Sequence, residues 1–256
     1  MLRNKIKHAL REGRAVLGTG LTGPVEMPAL RVLAHAGVEW LFLDLEHGSL
    51  DISDLLGAVQ LADALGMCSV LRVPDLSYHW VARSLDTGAL TVMIPRVESA
   101  EQARLAVQWT KFPPVGCRGM GSPSYLSYAS LSVREGIEIS NRETMVVVQI
   151  ETKAGADNVE AIASVPGVDA LFLGPLDMSI SLGCPGDVTG EEAHAVFREV
   201  CHVAREHGLI TGIVCSGDRI LQYHSMGIRM FSVGTALTHL RAGIGAAVDQ
   251  FRRQVS

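Results

Sequence analysis

Eight short apolar runs punctuate the chain, and between them apolar residues return every three or four positions. The runs are "AVLGTGL" (15–21), "WLFLDLE" (40–46), "CSVLRVP" (68–74), "TVMIPRV" (91–97), "VVVQIE" (146–151), "ALFLGP" (170–175), "ITGIVC" (210–215) and "RMFSVGT" (229–235). Such runs read as buried strands, whereas segments like "ISDLLGAVQLADALG" and "EEAHAVFREVCHVAREHG" carry the period of an amphipathic helix. Several helical segments close on His-Gly, Leu-Gly or Met-Gly, the glycine stop expected just past a helix C-terminus. Eight strand–helix units in succession predict an α/β fold, a single (β/α)8 TIM barrel occupying residues 1–256 as one domain. Leu2, Ile6 and Leu10 add a short amphipathic helix in front of it. The one irregular stretch is 113–144, long enough to expect a functional or interface loop followed by a short helix.

Several strands end in residues that make poor core. Asp44, Glu46 and His47 arrive directly after four large apolar residues, Arg72 ends the third run, and Gln149 and Glu151 share one face of the fifth. Asp177 lies just beyond the sixth. Burying such groups costs several kcal/mol, on the order of 2–7 for an unpaired polar group, unless each finds a partner. In a barrel of this kind the C-terminal strand ends form the active site, so one network contributed by four strands is expected there. Glu151 and Asp177 cap adjacent strands, and two carboxylates that converge repel unless a proton or cation lies between them. A divalent cation with open positions for water and substrate fits such a pair: Mg2+, with Mn2+ or Co2+ as substitutes. Pairing of one carboxylate with Arg72 or with a helix N-terminus is the alternative. Asp44 beside His47 suggests a carboxylate that fixes the tautomer of an imidazole base, with a structural histidine as the alternative.

Two further motifs carry less. "GTGLTG" (18–23) has the literal glycine spacing of a dinucleotide loop, but Pro24 and Pro28 interrupt the helix that would receive the phosphates. Lys153, one of four lysines, follows the fifth strand where an imine-forming amine could stand, although a solvated surface lysine is the commoner meaning. The net charge of -5 is mild, and no Lys/Arg run offers a footprint for nucleic acid or an anionic membrane. Five cysteines (68, 117, 184, 201 and 215) show no metal-finger spacing and read as reduced thiols. No stretch is apolar enough for a membrane span and the N-terminus lacks a secretory core, so a cytoplasmic protein is expected.

The segments "WLFLDLEHG", "LRVP", "LDTGA", "PRVESAEQA", "GCRGMG", "FSVGT" and above all 146–183 resemble the metal-dependent (class II) pyruvate aldolases. That family includes 2-dehydro-3-deoxyglucarate aldolase and 4-hydroxy-2-oxoheptanedioate aldolase, with the citrate-lyase β-subunit group as a distant relative. The resemblance covers nearly the whole chain. It implies a barrel of the phosphoenolpyruvate/pyruvate-domain type that reversibly cleaves a 4-hydroxy-2-oxo acid into pyruvate and an aldehyde. Oxaloacetate decarboxylation or an enolate-based condensation would use the same site. The resemblance also implies Glu151 and Asp177 as ligands of Mg2+ or Mn2+, His47 as base with Asp44 behind it, and Arg72 as anchor of the oxo acid. Gln149, Gly174, Pro175 and Asp177 would line the substrate site; Glu46, read from its place in the strand end alone, is expected behind them, orienting its neighbours or bonding a metal-bound water. A homo-hexamer built as a trimer of dimers is implied too, in which Asp86 approaches a neighbour's site. One departure concerns substrate preference: the family often has a tryptophan in the first strand, where this chain reads "LGTG".

Overall fold

The computed structural model describes residues 3–23, 26–121 and 129–255. Eight parallel strands close on themselves in sequence order. They are β1 (Val16–Leu21), β2 (Trp40–Asp44), β3 (Cys68–Arg72), β4 (Thr91–Ile94), β5 (Met145–Ile150), β6 (Ala170–Leu173), β7 (Ile210–Cys215) and β8 (Met230–Thr235). The expected (β/α)8 barrel is present. Helix α1 (Lys5–Arg11) precedes β1, and α2 (Met27–His35), α3 (Ile52–Ala64) and α4 (Tyr78–Asp86) follow the first three strands in turn. Among the described residues two helices, α5 (Ala100–Thr110) and α6 (Val133–Glu143), separate β4 from β5. The segment after β5 forms two short helices, α7 (Lys153–Asp157) and α8 (Val159–Ala163), hinged at Asn158. Helices α9 (Pro175–Ser181) and α10 (Glu191–Glu206) follow β6, α11 (Ile220–Ser225) follows β7, and α12 (Ala236–Val255) ends the described chain. Of the irregular stretch, 122–128 lies outside the described residues, as do Leu2 and Pro24. Its far side is α6, begun by a capping box between Ser132 and Glu135 that satisfies two otherwise unbonded N–H groups.

The period of two sorts each strand into an outer and an inner row. Leu41, Leu43 and Leu71 face out and pack with Leu30, Leu55 and Val59 of the surrounding helices. Trp40, Phe42, Val70, Met93, Val147, Phe172 and Met230 face in and fill the barrel. Trp40 and Phe172 meet edge to face, centroids 6.4 Å apart at 89°. Their bulk explains two strand glycines: a Cβ on Gly18 would lie 2.3 Å from the Trp40 ring, and one on Gly212 would lie 2.4 Å from the Phe172 ring. Gly18 of "GTGLTG" therefore serves close packing of a neighbouring ring, and a tryptophan from β2 occupies space that β1 leaves vacant.

Helix α1 closes the N-terminal end of the barrel. Asn4 caps it by accepting from the Lys7 N–H, and its Nδ2 donates to Thr91 Oγ1 at 3.0 Å. The Lys7 Nζ donates to Thr144 O at 2.6 Å and pairs with Asp169 at 3.0 Å. Close by, the buried Lys111 gives its three protons to Asn141 O, Thr144 O and Thr144 Oγ1 at 2.7–2.9 Å. These groups sit at the face opposite the strand C-termini, where a barrel invests in stability.

Helix α12 is different in kind. None of its residues is buried, and Leu237, Leu240, Ile244, Val248, Phe251 and Val255 are all exposed. Their spacing of three and four residues puts them on one stripe of the helix.

Candidate active site

Continuing the inner row of each strand to its C-terminal end gives the site. On β2 the row Trp40, Phe42 ends at Asp44, and on β3 Val70 is followed by Arg72. On β5 Val147 leads to Gln149 and then Glu151, and on β6 Phe172 leads to Gly174. Asp44, Arg72, Gln149 and Glu151 are all buried.

Asp44 and Arg72 are register partners on adjacent strands. The Arg72 Nε donates to Asp44 Oδ1 at 2.9 Å and its Nη2 to Oδ2 at 2.6 Å, a two-pronged charge-assisted contact. The Arg72 Nη1 lies 3.0 Å from Glu46 Oε2, an ion pair without hydrogen-bond geometry, and the guanidinium sits over the Phe42 ring at 5.1 Å. Burial raises the Glu46 carboxyl above its usual range, with the Arg72 charge opposing.

The expected Asp44–His47 pair is not formed. Besides Arg72, Asp44 Oδ1 accepts the backbone N–H groups of Glu46 (3.1 Å) and His47 (3.3 Å), so this carboxylate builds the turn that carries the histidine. The imidazole points outward instead, 66% exposed, with its Nε2 3.9 Å from Glu46 Oε2. Glu46, expected to stand behind the site, thus lies between the arginine, 3.0 Å away, and the imidazole, 3.9 Å away.

Glu151 has two unlike oxygens. Its Oε1 accepts the backbone N–H of Arg96 at 2.9 Å, while Oε2 is buried with no hydrogen-bond partner. Burial pushes the carboxyl up to about 7, the negative charges of Glu46 and Asp177 add to this, and the Arg96 N–H and the Arg72 charge oppose it. Gln149 Oε1 is likewise buried without a partner. Gly174 makes room for both: a Cβ there would lie 2.6 Å from Glu151 Oε2 and 2.9 Å from Gln149 Nε2. Pro175 opens α9, and Asp177, half-buried in its first turn, is close enough for its charge to act on Glu46 and Glu151.

The remaining candidates lie apart. Lys153 pairs with Asp157 at 2.6 Å on the surface of α7, which makes it the solvated lysine rather than an imine former. Asp86 receives a hydrogen bond from Arg118 Nη2 at 2.9 Å at the end of α4. Arg96 is the site residue that sequence reasoning misses. It acts through its backbone, and no side-chain pattern announces that.

Such an arrangement offers a fixed positive charge, several carboxylates of which Glu46 and Glu151 each have a buried oxygen without a hydrogen-bond partner, and an accessible imidazole at a barrel mouth. An arrangement of this kind can stabilise negative charge developing on a small anionic substrate. A family model described as HpcH/HpaI aldolase/citrate lyase matches residues 25–242. The 5-keto-4-deoxy-D-glucarate aldolase of Klebsiella pneumoniae subsp. pneumoniae is 33% identical over 253 residues, 98% of this chain and 97% of that protein. The hydroxypyruvate/pyruvate aldolase of Deinococcus radiodurans is 33% identical over 98% of this chain and 91% of its own length. The crystal structure of an HpcH/HpaI aldolase from Desulfitobacterium hafniense DCB-2 superposes with a TM-score of 0.91 at 27% identity, covering 96% of each chain. The chain belongs to the HpcH/HpaI aldolase/citrate lyase family, and membership makes it a carbon–carbon lyase.

Proposed function

We propose that the protein is a divalent-metal-dependent aldolase that reversibly cleaves a 4-hydroxy-2-oxo acid into pyruvate and an aldehyde. The observation that carries this reading is Glu151 Oε2, buried and unpartnered beside Asp177 in a space kept open by Gly174. A buried carboxylate oxygen without a donor is costly, and a cation held between Glu151 and Asp177 would relieve both that cost and their repulsion. Among the described residues no three His, Cys, Asp or Glu side chains form a ready ligand cluster, so a two-carboxylate site leaves most coordination positions to water and substrate. Mg2+ and Mn2+ suit such an oxygen set. When bound, the cation supplies a Lewis acid that stabilises negative charge on the oxo-acid oxygens, worth several kcal/mol.

The chain's own residues do the rest. Arg72, locked by Asp44, binds the oxo acid and stabilises the developing charge without reorganising. Gln149, with its free Oε1, lines the site together with Gly174 and Pro175. His47 takes the proton from the 4-hydroxyl, the C3–C4 electron pair passes to C3 and the carbonyl, and the aldehyde departs. Protonation of the resulting enolate at C3 gives pyruvate.

The protein works in the cytoplasm as a homo-oligomer, a hexamer built as a trimer of dimers. The exposed stripe of α12 supports assembly, since a row of six large apolar side chains calls for a partner surface. Among the described residues no helix is long and apolar enough to cross a membrane.

Incubation with pyruvate in D2O, followed by NMR of the methyl protons, tests the reading without knowledge of the aldehyde. Exchange lost with chelator and restored by Mg2+ or Mn2+ is expected. Exchange that survives metal removal, or none at all, would refute it.

A further inference from the structure

Arg96 has φ 51°, and among the described residues no other residue except glycine has a positive φ. A Cβ is disfavoured in that region, so something must hold the residue there. Its side chain gives no reason: the residue is exposed, and among the described residues no hydrogen bond or ion pair engages its guanidinium. The backbone does give one. Pro95 before it has no N–H, and past the end of β4 two consecutive N–H groups turn toward β5. That of Arg96 reaches Glu151 Oε1 at 2.9 Å, and that of Val97 reaches Gln149 O at 3.2 Å. One oxygen of Glu151 is thereby tied down, and the other is the buried, unpartnered one.

We infer that Arg96 is a positioning residue: its left-handed backbone aims an N–H that fixes the Glu151 carboxylate with Oε2 presented to the cation. Strained non-glycine backbone concentrates at functional sites where surrounding structure holds it, and here that structure is the pairing of β4 with β5. The inference rests on the reading of Glu151 as a metal ligand.

The test is Mn2+ binding to the metal-stripped full-length protein, followed by electron paramagnetic resonance. Arg96→Gly deletes the guanidinium yet adopts positive φ freely, and should bind Mn2+ within about twofold of wild type. Arg96→Val resists positive φ and should bind about tenfold more weakly, with an unchanged circular dichroism spectrum. If the valine variant does not fold, Arg96→Ala, less resistant to this φ, should fall between the two. In a Glu151→Gln background the valine substitution should add no further loss, which separates positioning of Glu151 from general loosening. Equal weakening by glycine and valine would assign the effect to the guanidinium and overturn the inference, as would wild-type affinity in Arg96→Val. Absence of Mn2+ binding by the wild type would overturn the metal reading and this inference with it; the other failures leave the metal reading standing.

Discussion

Asp44 holds Arg72 by both of its carboxylate oxygens, at 2.9 and 2.6 Å, across two strands whose residues pair in register. The same Asp44 Oδ1 accepts from the backbone of Glu46 and His47, so one carboxylate sets both the arginine and the turn bearing the imidazole. Removing one partner of a buried pair leaves an uncompensated charge, at a cost of about 3–5 kcal/mol. Asp44→Ala should lose stability of that order in urea unfolding. Arg72→Lys keeps the charge but not the fork, and should fold while losing at least about two orders of magnitude in kcat. Near-wild-type turnover in Arg72→Lys would show that the two-pronged geometry is dispensable.

Gly174 lies where any larger residue would strike the site. A Cβ there approaches not only Glu151 Oε2 at 2.6 Å but also Glu151 Cβ at 2.7 Å, and the latter cannot swing aside. Gly174→Ala should therefore displace the carboxylate and weaken Mn2+ binding roughly tenfold, with an overpacking cost of about 1–3 kcal/mol in stability. Isothermal titration with Mn2+ and urea unfolding measure the two effects. Unaltered affinity would mean that the space beside Glu151 is not used by a ligand.

How much of this was legible in the sequence follows from period and adjacency. The inward rows ending at Asp44, Arg72 and Glu151 repeat every second residue, so their convergence at one end of a barrel could be read from the chain. The partner of Asp44 could not: adjacency suggested the His47 ring, and that pair is not formed. Sequence neighbours three apart meet through backbone N–H groups, and it was those, with an arginine from the next strand, that filled the carboxylate. Arg96 was illegible because its contribution is a main-chain N–H and a φ angle. The lysines beneath the barrel were equally hidden, since Lys7, Lys111 and Asp169 are brought together only by closure of the sheet.

Lys111 gives a pH dependence with a definite sign. Three oxygens accept from its ammonium, yet burial and the nearby positive charge of Lys7 push its pKa down to about 8 from 10.5. Between those two values the unfolded chain binds a proton that the folded chain does not, so stability rises with pH. Below about 8 both states are protonated and the penalty is constant. Lys111→Met should remove this slope: the wild-type advantage should grow by up to about 3 kcal/mol from pH 8 to 10.5, at 1.36 kcal/mol per pKa unit. Urea unfolding at several pH values gives the comparison, and parallel curves for the two proteins would contradict the assignment.

The stripe of α12 bears on assembly. Leu240 and Ile244 lie at its middle, four residues apart on one face of a helix with no buried residue. An interface of this kind draws its stability from apolar burial, roughly 25 cal/mol per Å2, and a charge placed in it would have to be desolvated without a partner. The double variant Leu240→Glu/Ile244→Glu should fold as a barrel, since neither side chain contributes to the core. In sedimentation velocity the wild type should run as a hexamer and the variant as smaller species. If the variant kept the wild-type sedimentation coefficient, the stripe would not be an assembly surface. If the variant dissociated and kept full activity, each chain would hold a complete site. Loss of activity on dissociation, with the barrel intact by circular dichroism, would mean that a neighbouring copy completes the site, as the family resemblance implies for Asp86.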